Sequence, residues 1–410
     1  MKVLHIQTGL PTSGNAIFRL HQALLGEGYD SSLLMLTSSR PVDGFVNTIS
    51  DPFKNFRVVA NQKIESYLLR NKIKGSYAFS YPKLGYDLTK NRLLLDADIS
   101  VLHWSIGGLL TIDGYRKIAK LGKPVLFFMH DMWSITGGCH HSFDCAQYED
   151  HCGNCAMFIN PKLKDITYQQ FEKKRKLYSE FDNIFFASPS TWLSNCIKKA
   201  ALTHNKETFH LPNLINQNVF RPFAKGTAKG ILNISTKKIV ITFGAKSGAE
   251  SRFKGWSYMK EALNLLRDRN PEVEYLALVF GSEYDQKIVD GVPFETKFTG
   301  YLFDDYALNI VYNATDVFVT PTLADNFPST VLESMSCNTP VVAFNVGGLS
   351  DMIVHKENGY LARYLDVNDL TEGIEFCINN GIKGFLKKEL NPAIVLEKYK
   401  SAFDRMIKLK

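Results

Sequence analysis

Two successive series of short apolar runs constrain the fold of this chain more than any other feature of its sequence. The runs of the first series span residues 2–7, 31–36, 99–103, 125–130 and 184–187. Those of the second span residues 238–243, 275–280, 297–299, 316–320 and 340–344. Stretches with helical spacing lie between them, including residues 16–25, 254–267, 305–313 and 330–336. Strand–helix alternation predicts an α/β fold with parallel sheets, and two series predict two doubly wound, Rossmann-like domains.

The boundary between the two predicted domains lies between Leu211 and Pro222, where prolines and turn formers follow a strand-like run. The Gly- and Lys-bearing stretch 225–230 continues this region without a helical pattern. We therefore expect one domain over residues 1–215 and a second over 216–391. An amphipathic helix over 392–410 is expected to pack back on the first domain. Because ligands bind beyond the carboxyl ends of parallel strands, two such domains facing a cleft should carry their functional residues directly after strands.

Composition and charge exclude several classes of protein. The chain has 410 residues, 45% hydrophobic and 22% charged, as in ordinary globular proteins. Its net charge of +7 suits an anionic ligand or an anionic membrane surface. Nucleic acid is disfavoured because no recognised binding module accompanies the charge. The start of the chain becomes polar at once and no apolar run is long enough to span a bilayer, so we expect a cytoplasmic protein.

Basic and aromatic residues interleave in two regions, Lys54 to Arg92 and Lys162 to Lys176. Such a pattern on the first domain suggests peripheral contact with the inner face of a membrane. A solvated helix face is the alternative.

The most informative motif is a predicted strand, loop and helix that carries two acids, Asp325 and Glu333. Pro328 stands where helices often begin, and Ser329 or Thr330 can cap the helix. The backbone N–H groups of residues 329–331 would then offer a site for a diphosphate. Glu333 can accept hydrogen bonds from a ribose, and Asp325 can reach sugar hydroxyls. The alternative is a capped surface helix with two unrelated acids.

An acidic residue followed by seven others and then Glu, in this setting, resembles the signature of family 4 (group 1) of the GT-B glycosyltransferases. That family usually has Glu at the first position, whereas this chain has Asp325, one methylene shorter. The segments 339–343, 347–349 and 358–361 also resemble the family. The resemblance implies two domains around a cleft and retaining transfer from a nucleotide sugar. It points to the subgroup that builds bacterial capsule, exopolysaccharide or O-antigen, with a lipid-linked saccharide acceptor.

The resemblance extends upstream in the second domain. A strand ends at Gly244, and Lys254 matches a family lysine that contacts the donor phosphates. The family arginine is replaced by Ala245, and Arg252 or Lys246 could supply its charge. Two cations would balance the departing diphosphate, so no metal is expected in catalysis. For Lys254 the alternative is a solvated surface lysine.

In the first domain, the loop 8–15 resembles the family's Gly-rich loop, although a plain strand–helix turn is nearly as fitting. His130 matches a histidine that contacts the donor sugar near the reacting carbon, and a satisfied histidine at a strand end is the alternative. His103 and Trp104 resemble a wall of the acceptor cleft. The resemblance implies a catalytic set of His130, Asp325 and Lys254. It implies a donor-binding set of Gly14, Gly244, Arg252, Lys254, Tyr301, Asp325, Ser329, Thr330, Val331 and Glu333.

Four of the seven cysteines, Cys139, Cys145, Cys152 and Cys155, are close together in the sequence. The last two form a Cys-Gly-Asn-Cys turn with the spacing of a zinc knuckle, so the cluster predicts a structural zinc ion. His140 or His141 could replace one thiolate. Unligated thiols and disulfides are the alternatives.

Three functions fit these observations. The first is a retaining glycosyltransferase of surface polysaccharide synthesis that needs no metal for catalysis. The second is a nucleotide-sugar epimerase or hydrolase of the same architecture, which would consume the donor without an acceptor. The third is a scaffolding subunit with a decayed donor site.

Overall fold

The structure is a computed structural model that describes residues 1–10, 16–39, 44–69, 73, 78–244, 252–302 and 304–409, and leaves the side chains of Leu10 and Arg252 undescribed. The described chain divides into two compact units. The first contains most residues up to 213 together with 395–409, and the second contains residues 214–394.

A parallel sheet forms the centre of the first unit. Its strands are β1 (Lys2–Leu10), β2 (Asp30–Ser38), β3 (Val46–Thr48), β4 (Ile99–Leu102), β5 (Val125–Phe128), β6 (Ile184–Ser188) and β7 (Thr208–His210). The spatial order is β3-β2-β1-β4-β5-β6-β7. The order reverses between β1 and β4, where Val3 pairs with Ile99 and His5 with Val101. This is the switch point at which doubly wound sheets bind ligands.

The second unit repeats this plan. Its strands are β8 (Ile239–Gly244), β9 (Tyr275–Phe280), β10 (Glu295–Phe298), β11 (Val317–Thr320), β12 (Val341–Phe344) and β13 (Gly359–Ala362). They are parallel in the order β10-β9-β8-β11-β12-β13, so the switch point lies between β8 and β11. Apolar side chains bury both faces of the sheet, with Val240 in one core cluster and Ile241 in another. The prediction of an α/β fold with two doubly wound, parallel-sheet units is confirmed.

Helices connect the strands. They are α1 (Ala16–Gly26), α2 (Lys54–Leu69), α3 (Arg92–Asp96), α4 (Ile112–Ala119), α5 (Ile166–Glu180), α6 (Thr191–Lys199), α7 (Lys225–Ile231), α8 (Trp256–Arg269), α9 (Gln286–Val289), α10 (Asp305–Ala314), α11 (Ser329–Ser336), α12 (Leu349–Met352), α13 (Val367–Asn379) and α14 (Pro392–Lys408). Within the described residues, none has the length and apolar character needed to cross a bilayer.

The C-terminal helix α14 packs on the first unit. Its buried residues Val395, Tyr399, Ala402, Phe403 and Met406 have amphipathic spacing. The Tyr399 ring stacks on Phe128 with ring centroids 6.2 Å apart, and its hydroxyl donates to Pro212 O at 3.2 Å. The end of the chain therefore completes the core around β5.

Two sequence-based expectations about local structure are wrong. Residues 225–230 are helical, because Lys225 and Lys229 both form ion pairs with Asp316, at 2.6 and 2.9 Å. These pairs with the start of β11 hold a glycine-containing stretch that has little helical preference of its own. The predicted Gly-rich loop begins later than residue 8, because β1 continues to Leu10 by pairing Gly9 with Thr37.

Candidate active site

The second unit places two predicted site segments at its switch point. Gly244 is the last residue of β8, and the loop that carries Asp325 follows β11, the neighbouring strand. An added Cβ on Gly244 would lie 3.2 Å from the Phe280 ring, so the strand end is tightly packed. Both segments thus leave the sheet where a ligand of a doubly wound sheet is expected.

A short 3₁₀ turn, Arg252–Lys254, is attached to the loop 321–325. The Leu323 N–H donates to Phe253 O at 2.8 Å, and Thr322 Oγ1 donates to the same carbonyl at 3.0 Å. Gly255 has φ +68°, and a Cβ there would lie 1.9 Å from Pro321 O. Helix α8 therefore begins at Trp256, not at Lys254 as expected, because Gly255 adopts a left-handed conformation to allow this close approach.

This attachment brings together two predicted catalytic residues. Lys254 Nζ lies 3.2 Å from Asp325 Oδ2. The Lys254 side chain is 50% exposed and that of Asp325 is 18% exposed. An ion pair of this kind contributes little to stability because solvent screens it. The lysine can therefore exchange the carboxylate for a ligand phosphate at small cost.

A second loop supports Asp325 from the other side. Gly347, after β12, has φ +58°, and a Cβ there would lie 1.9 Å from Asp325 O. The next residue, Gly348, donates its N–H to the same carbonyl at 3.3 Å. In the sequence alone, these glycines show only a likeness to the family. Their structural role is to fix the backbone of Asp325, and a pair of glycines directly after a buried strand was the signal for it.

Helix α11 begins one residue earlier than expected. Pro328 is its N-cap residue and no side chain caps it, so the prediction that Ser329 or Thr330 caps the helix is wrong. Both residues lie inside the first turn. The Val331 N–H donates to Pro328 O at 3.1 Å, whereas the N–H groups of 329 and 330 have no hydrogen-bond partner among the described residues. Two of the three expected amides therefore remain at the positive end of the helix.

Glu333 lies inside α11 and is buried, with 1% of its surface exposed. The hydroxyl of Tyr312, itself fully buried in α10, donates to Glu333 Oε2 at 2.9 Å. Tyr312 thus orients the carboxylate that the sequence assigns to a ribose. Tyr312 was missed by sequence analysis, because nothing in the sequence indicates that α10 and α11 are adjacent.

The other predicted donor-binding residues are less well defined. Tyr301 follows β10 and is 52% exposed, and the nearby Gly281 N–H donates to Gly300 O at 3.0 Å, joining the ends of β9 and β10. Gly14, Ala245 and Lys246 lie outside the described residues, as does the side chain of Arg252. The replacement of the family arginine therefore stays a sequence prediction.

In the first unit, the predicted catalytic residue His130 belongs to a chain of three histidines. His5 Nδ1 lies 3.0 Å from His103 Nε2, and His103 Nδ1 lies 3.1 Å from His130 Nε2. Burial lowers the pKa of His5 to about 3 and that of His130 to about 4, and it also lowers the pKa of His103 well below its usual value. All three rings are therefore neutral at pH 7. His5 was missed because it lies inside an apolar strand.

The neighbourhood of His130 contains an ion pair and a small pocket. Asp131 Oδ2 lies 2.6 Å from His140 Nδ1, and His140 Nε2 lies 2.9 Å from Ser80 Oγ. The pocket has a volume of about 20 Å³, room for roughly one water molecule, and its walls include His103, Trp104 and His130. His103 is buried and Trp104 is 41% exposed, so of these two only Trp104 offers a broad surface to a ligand.

All four clustered cysteines are free thiols. Burial raises the pKa of Cys139 and of Cys152 to about 12, and the Gly137 N–H donates to Cys152 Sγ at 3.2 Å. In the described part of the chain, no three His, Cys, Asp or Glu side chains are arranged to hold a metal ion. The residues as they lie therefore do not form a ready zinc site.

The two basic and aromatic regions differ. On and just before α2, Phe53, Phe56 and Tyr67 are 67%, 71% and 77% exposed. In the second region, Lys174 is buried, with Nζ 3.0 Å from Thr136 O and 3.5 Å from the centre of the Trp133 ring. Lys174 thus belongs to the interior and not to a surface patch.

The fold of this protein is similar to that of several solved glycosyltransferases. The structure resembles HepE of Anabaena in complex with UDP-glucose, with a TM-score of 0.56, 13% identity and coverage of 100% of this chain and 97% of that one. It also resembles WaaG, a glycosyltransferase involved in lipopolysaccharide biosynthesis, with a TM-score of 0.58, 13% identity and coverage of 98% and 95%. At this identity the likeness shows the fold, which is that of the GT-B glycosyltransferases.

The sequence matches are more specific. Residues 237–380, within the second unit, match the family described as Glycosyl transferases group 1. A D-inositol 3-phosphate glycosyltransferase of Arthrobacter sp. (strain FB24) is 25% identical over 280 residues, which are 61% of this chain and 65% of that protein. The chain matches less than two thirds of the length of its curated relatives. Together these findings support a glycosyltransferase of group 1.

Proposed function

We propose that this protein is a retaining glycosyltransferase that moves a sugar from a nucleotide-sugar donor to a lipid-linked saccharide during synthesis of a bacterial surface polysaccharide. The observation that carries the proposal is the Lys254–Asp325 pair at the switch point of the second sheet. A cation and an acid held together there match the two ends of a nucleotide sugar, one anionic and one rich in hydroxyls. The family match covers this region, and HepE, a protein of similar fold, binds UDP-glucose.

Each part of the donor has a candidate partner in the second unit. Lys254 and the amides of 329 and 330 would bind the diphosphate, since both offer positive charge. Glu333, oriented by Tyr312, would accept from the ribose diol. Asp325 would accept from hydroxyls of the transferred sugar, and the exposed Tyr301 ring would contact the base.

The proposed reaction retains configuration by a front-face route. The acceptor hydroxyl oxygen bonds to the anomeric carbon on the face that the leaving diphosphate departs from, as the bond from that carbon to the phosphate oxygen breaks. The hydroxyl proton passes to an oxygen of the departing phosphate. Lys254 would stabilise the negative charge that develops there, without a metal ion. His130 would contact the sugar as a neutral hydrogen-bonding group.

Exposed side chains on the first unit support a membrane-bound acceptor. Phe53, Phe56 and Tyr67 project from the region of α2, which also carries the basic residues Arg57 and Lys63. Aromatic rings beside cations are typical of surfaces that bind anionic lipid headgroups. We therefore include peripheral contact with the inner face of the cell membrane in the proposal.

Donor turnover with and without an acceptor separates the three functions. A thermal-shift screen of UDP-, GDP- and ADP-sugars would find the donor, and calorimetry would measure its affinity. A transferase consumes the donor quickly only when a lipid-linked saccharide fraction is added. An epimerase or hydrolase consumes it without acceptor. If no nucleotide sugar binds, the proposed function is wrong and a scaffolding role is favoured.

Binding of zinc by the cysteine cluster stays a prediction. It can be tested independently of the transferase activity. The Cys-Gly-Asn-Cys turn has positive φ at Gly153 and Asn154, as a tight knuckle requires, but the thiols would have to move together to bind an ion. Elemental analysis should find one zinc per chain, lost in Cys139→Ser and kept in Cys377→Ser. Four titratable cluster thiols without metal would leave the unligated alternative, and absent thiols would indicate disulfides.

A further inference from the structure

Asp131, His140 and Ser80 form a line of hydrogen bonds beside the end of β5. Asp131 Oδ2 lies 2.6 Å from His140 Nδ1, and His140 Nε2 lies 2.9 Å from Ser80 Oγ. A carboxylate only accepts hydrogen bonds, so the hydrogen of the first contact is on His140 Nδ1. The other carboxylate oxygen, Oδ1, accepts from the Trp133 N–H at 2.8 Å. Within the described residues, these two contacts orient the carboxylate and leave it acceptor capacity for a ligand.

The serine at the end of the line is itself fixed. The Ser80 N–H donates to Gly138 O at 2.9 Å. The Ser80 carbonyl accepts from Trp133 Nε1 at 3.1 Å and from Gln170 Nε2 at 3.0 Å. Ser80 and His140 are 9% and 8% exposed, so water competes little for their hydrogen bonds. The line therefore holds the carboxylate from the interior of the first unit.

A serine, a histidine and an aspartate in this order also activate the nucleophile of many hydrolases. That reaction needs N–H groups beside the serine to stabilise an oxyanion. Here the Ser80 N–H donates to Gly138 O, and the Tyr81 N–H donates to Glu65 Oε1 at 2.8 Å. Because both amides are occupied, the line is suited to positioning the carboxylate and not to nucleophilic attack by the serine.

The oriented carboxylate lines a pocket of the size of one hydroxyl group. Asp131, His130 and Trp104 all contribute to the walls of the pocket of about 20 Å³. This volume admits a group as large as a water molecule, and a whole sugar ring does not fit. The side chain of Asp131 is 19% exposed, so a hydroxyl that enters from the solvent can donate to it.

Trp104 offers a surface beside this pocket for the rest of a sugar. Its indole packs against Gly107, where an added Cβ would lie 2.9 Å from Trp104 Cη2, and its ring centroid is 6.5 Å from that of His140. These contacts hold the indole and leave Trp104 41% exposed. The face of an aromatic ring is electronegative and attracts the weakly positive C–H groups of a sugar ring. An exposed indole beside a hydroxyl-sized, acidic pocket therefore suits one saccharide unit.

We propose that Asp131 and Trp104 form a subsite for one saccharide unit, in which one hydroxyl enters the pocket and the C–H face of the ring lies on the indole. His140 and Ser80 are positioning residues for the carboxylate. The subsite rests on the proposed function in one respect, the identity of this saccharide as the acceptor. Binding does not require transfer, so it can be measured without a donor.

Saturation-transfer NMR of the full chain with methyl glycosides of glucose, galactose, mannose and N-acetylglucosamine tests the subsite. We expect at least one glycoside to receive saturation on its C–H protons. Trp104→Ala should abolish the signal, and Asp131→Asn should weaken binding about tenfold, because the hydroxyl loses a charged acceptor. A panel without any signal, or equal signals in the two variants and the unchanged protein, would overturn the proposal.

Substitutions of His140 separate positioning from folding. His140→Phe keeps an aromatic ring but has no donor, so the glycoside should bind about tenfold more weakly. His140→Asn places an amide N–H near the position of Nδ1 and should restore most of the affinity. Ser80→Ala should have a smaller effect. His151 is the matched control, because its Nε2 lies 2.6 Å from Glu172 Oε1 and neither residue lines the pocket. His151→Phe should leave the affinity unchanged.

The results also distinguish this proposal from the proposed function. Equal affinities in His140→Phe and His140→Asn, or equal losses in His140→Phe and His151→Phe, would overturn the positioning role. If glycoside binding depends on Asp131 but no nucleotide sugar binds, the subsite stands and the transferase function is wrong. If the protein transfers sugar and the KM for acceptor is unchanged in both Asp131→Asn and Trp104→Ala, the subsite alone is wrong.

Discussion

The two switch points of this molecule occupy equivalent places in equivalent sheets, yet they differ in charge. That of the first unit holds three neutral rings that bond to one another and are largely shielded from water. That of the second unit holds a lysine and an aspartate in contact with solvent. Doubly wound topology thus fixes where a site lies, and the side chains decide its chemistry.

The contrast has a simple physical origin. Neutral imidazole rings hydrogen-bond to one another only when each contact joins an N–H of one ring to the bare nitrogen of the next. The three rings therefore hold a fixed hydrogen-bond geometry but carry no charge. A half-exposed lysine keeps most of its hydration and is free to change partners, so it provides charge without fixed direction. The two units thus present different chemistry at equivalent places in their sheets.

The largest effect is expected from removing the charge in the second unit. Lys254→Ala should lower kcat about 100-fold, because the departing diphosphate loses a cation as its charge develops. Steady-state kinetics with saturating donor would measure this. Lys260→Ala, an exposed lysine of α8, is the matched control and should have nearly normal activity. An unchanged rate in Lys254→Ala would show that the exposed pair is a surface feature only.

The support of Asp325 can be tested with two glycines of equal φ. Gly347 and Gly381 both have φ +58°, but only at Gly347 would a Cβ meet a neighbour, at 1.9 Å from Asp325 O. Gly347→Ala should lower the free energy of unfolding by about 2 kcal/mol more than Gly381→Ala, since both variants share the backbone strain but only one has the clash. Denaturant unfolding measures this difference. If both variants lose the same free energy of unfolding, the Asp325 loop can shift to accept the added methyl group.

Substitutions of Glu333 test whether this buried carboxylate binds the donor. Glu333→Ala should raise the KM for donor, and Glu333→Gln, which keeps the shape, should raise it about tenfold with kcat little changed, because a ribose hydroxyl loses a charged acceptor. Tyr312→Phe removes only the orienting hydrogen bond and should have a smaller effect. If KM stays constant in both Glu333 variants, the buried acid has a structural role alone.

The last prediction concerns pH and depends on the histidines of the first unit. The histidines have depressed pKa values when folded, so between about pH 6.5 and pH 4 the unfolded chain binds more protons. The histidines' contribution to the free energy of unfolding is therefore complete above pH 6.5 and falls as the pH is lowered, by about 1.4 kcal/mol per pH unit for each such histidine.

Tryptophan fluorescence during denaturant titration would measure the free energy of unfolding at each pH, because Trp104, Trp133 and Trp192 belong to the first unit. His5→Phe should reduce the slope by about one proton. A slope that does not change would show that His5 titrates normally.

The sequence predicted most strands of the two sheets but missed β3, β7 and β13. Long apolar runs such as 275–280 gave strands with the observed bounds, because central parallel strands are buried on both faces. The three-residue strands β3 and β7 lie at or near sheet edges and have too few apolar residues to be distinguished from loops. The helix at 225–231 was missed because its stability comes from a distant aspartate, Asp316.

Only the part of the candidate site that depends on local sequence could be predicted. Residues directly after strands, such as Asp325 and His130, could be identified from local sequence. The contribution of His5 depends on β1, β4 and β5 being neighbours, which is a property of strand order and not of any segment. Likewise Tyr312 becomes relevant only once α10 packs against α11. Contacts between distant segments are what the sequence could not provide.

The loop that carries Asp325 is shaped by segments far from it in the chain. Gly255 fits against one end of it and Gly347 against the other, and neither position tolerates a side chain. An engineer who wished to move this acid into a related enzyme would therefore gain little by transplanting the loop alone. The turn before α8 and the glycines after β12 would have to be transferred together with the loop. Altered donor preference should appear only when these three segments are exchanged at once.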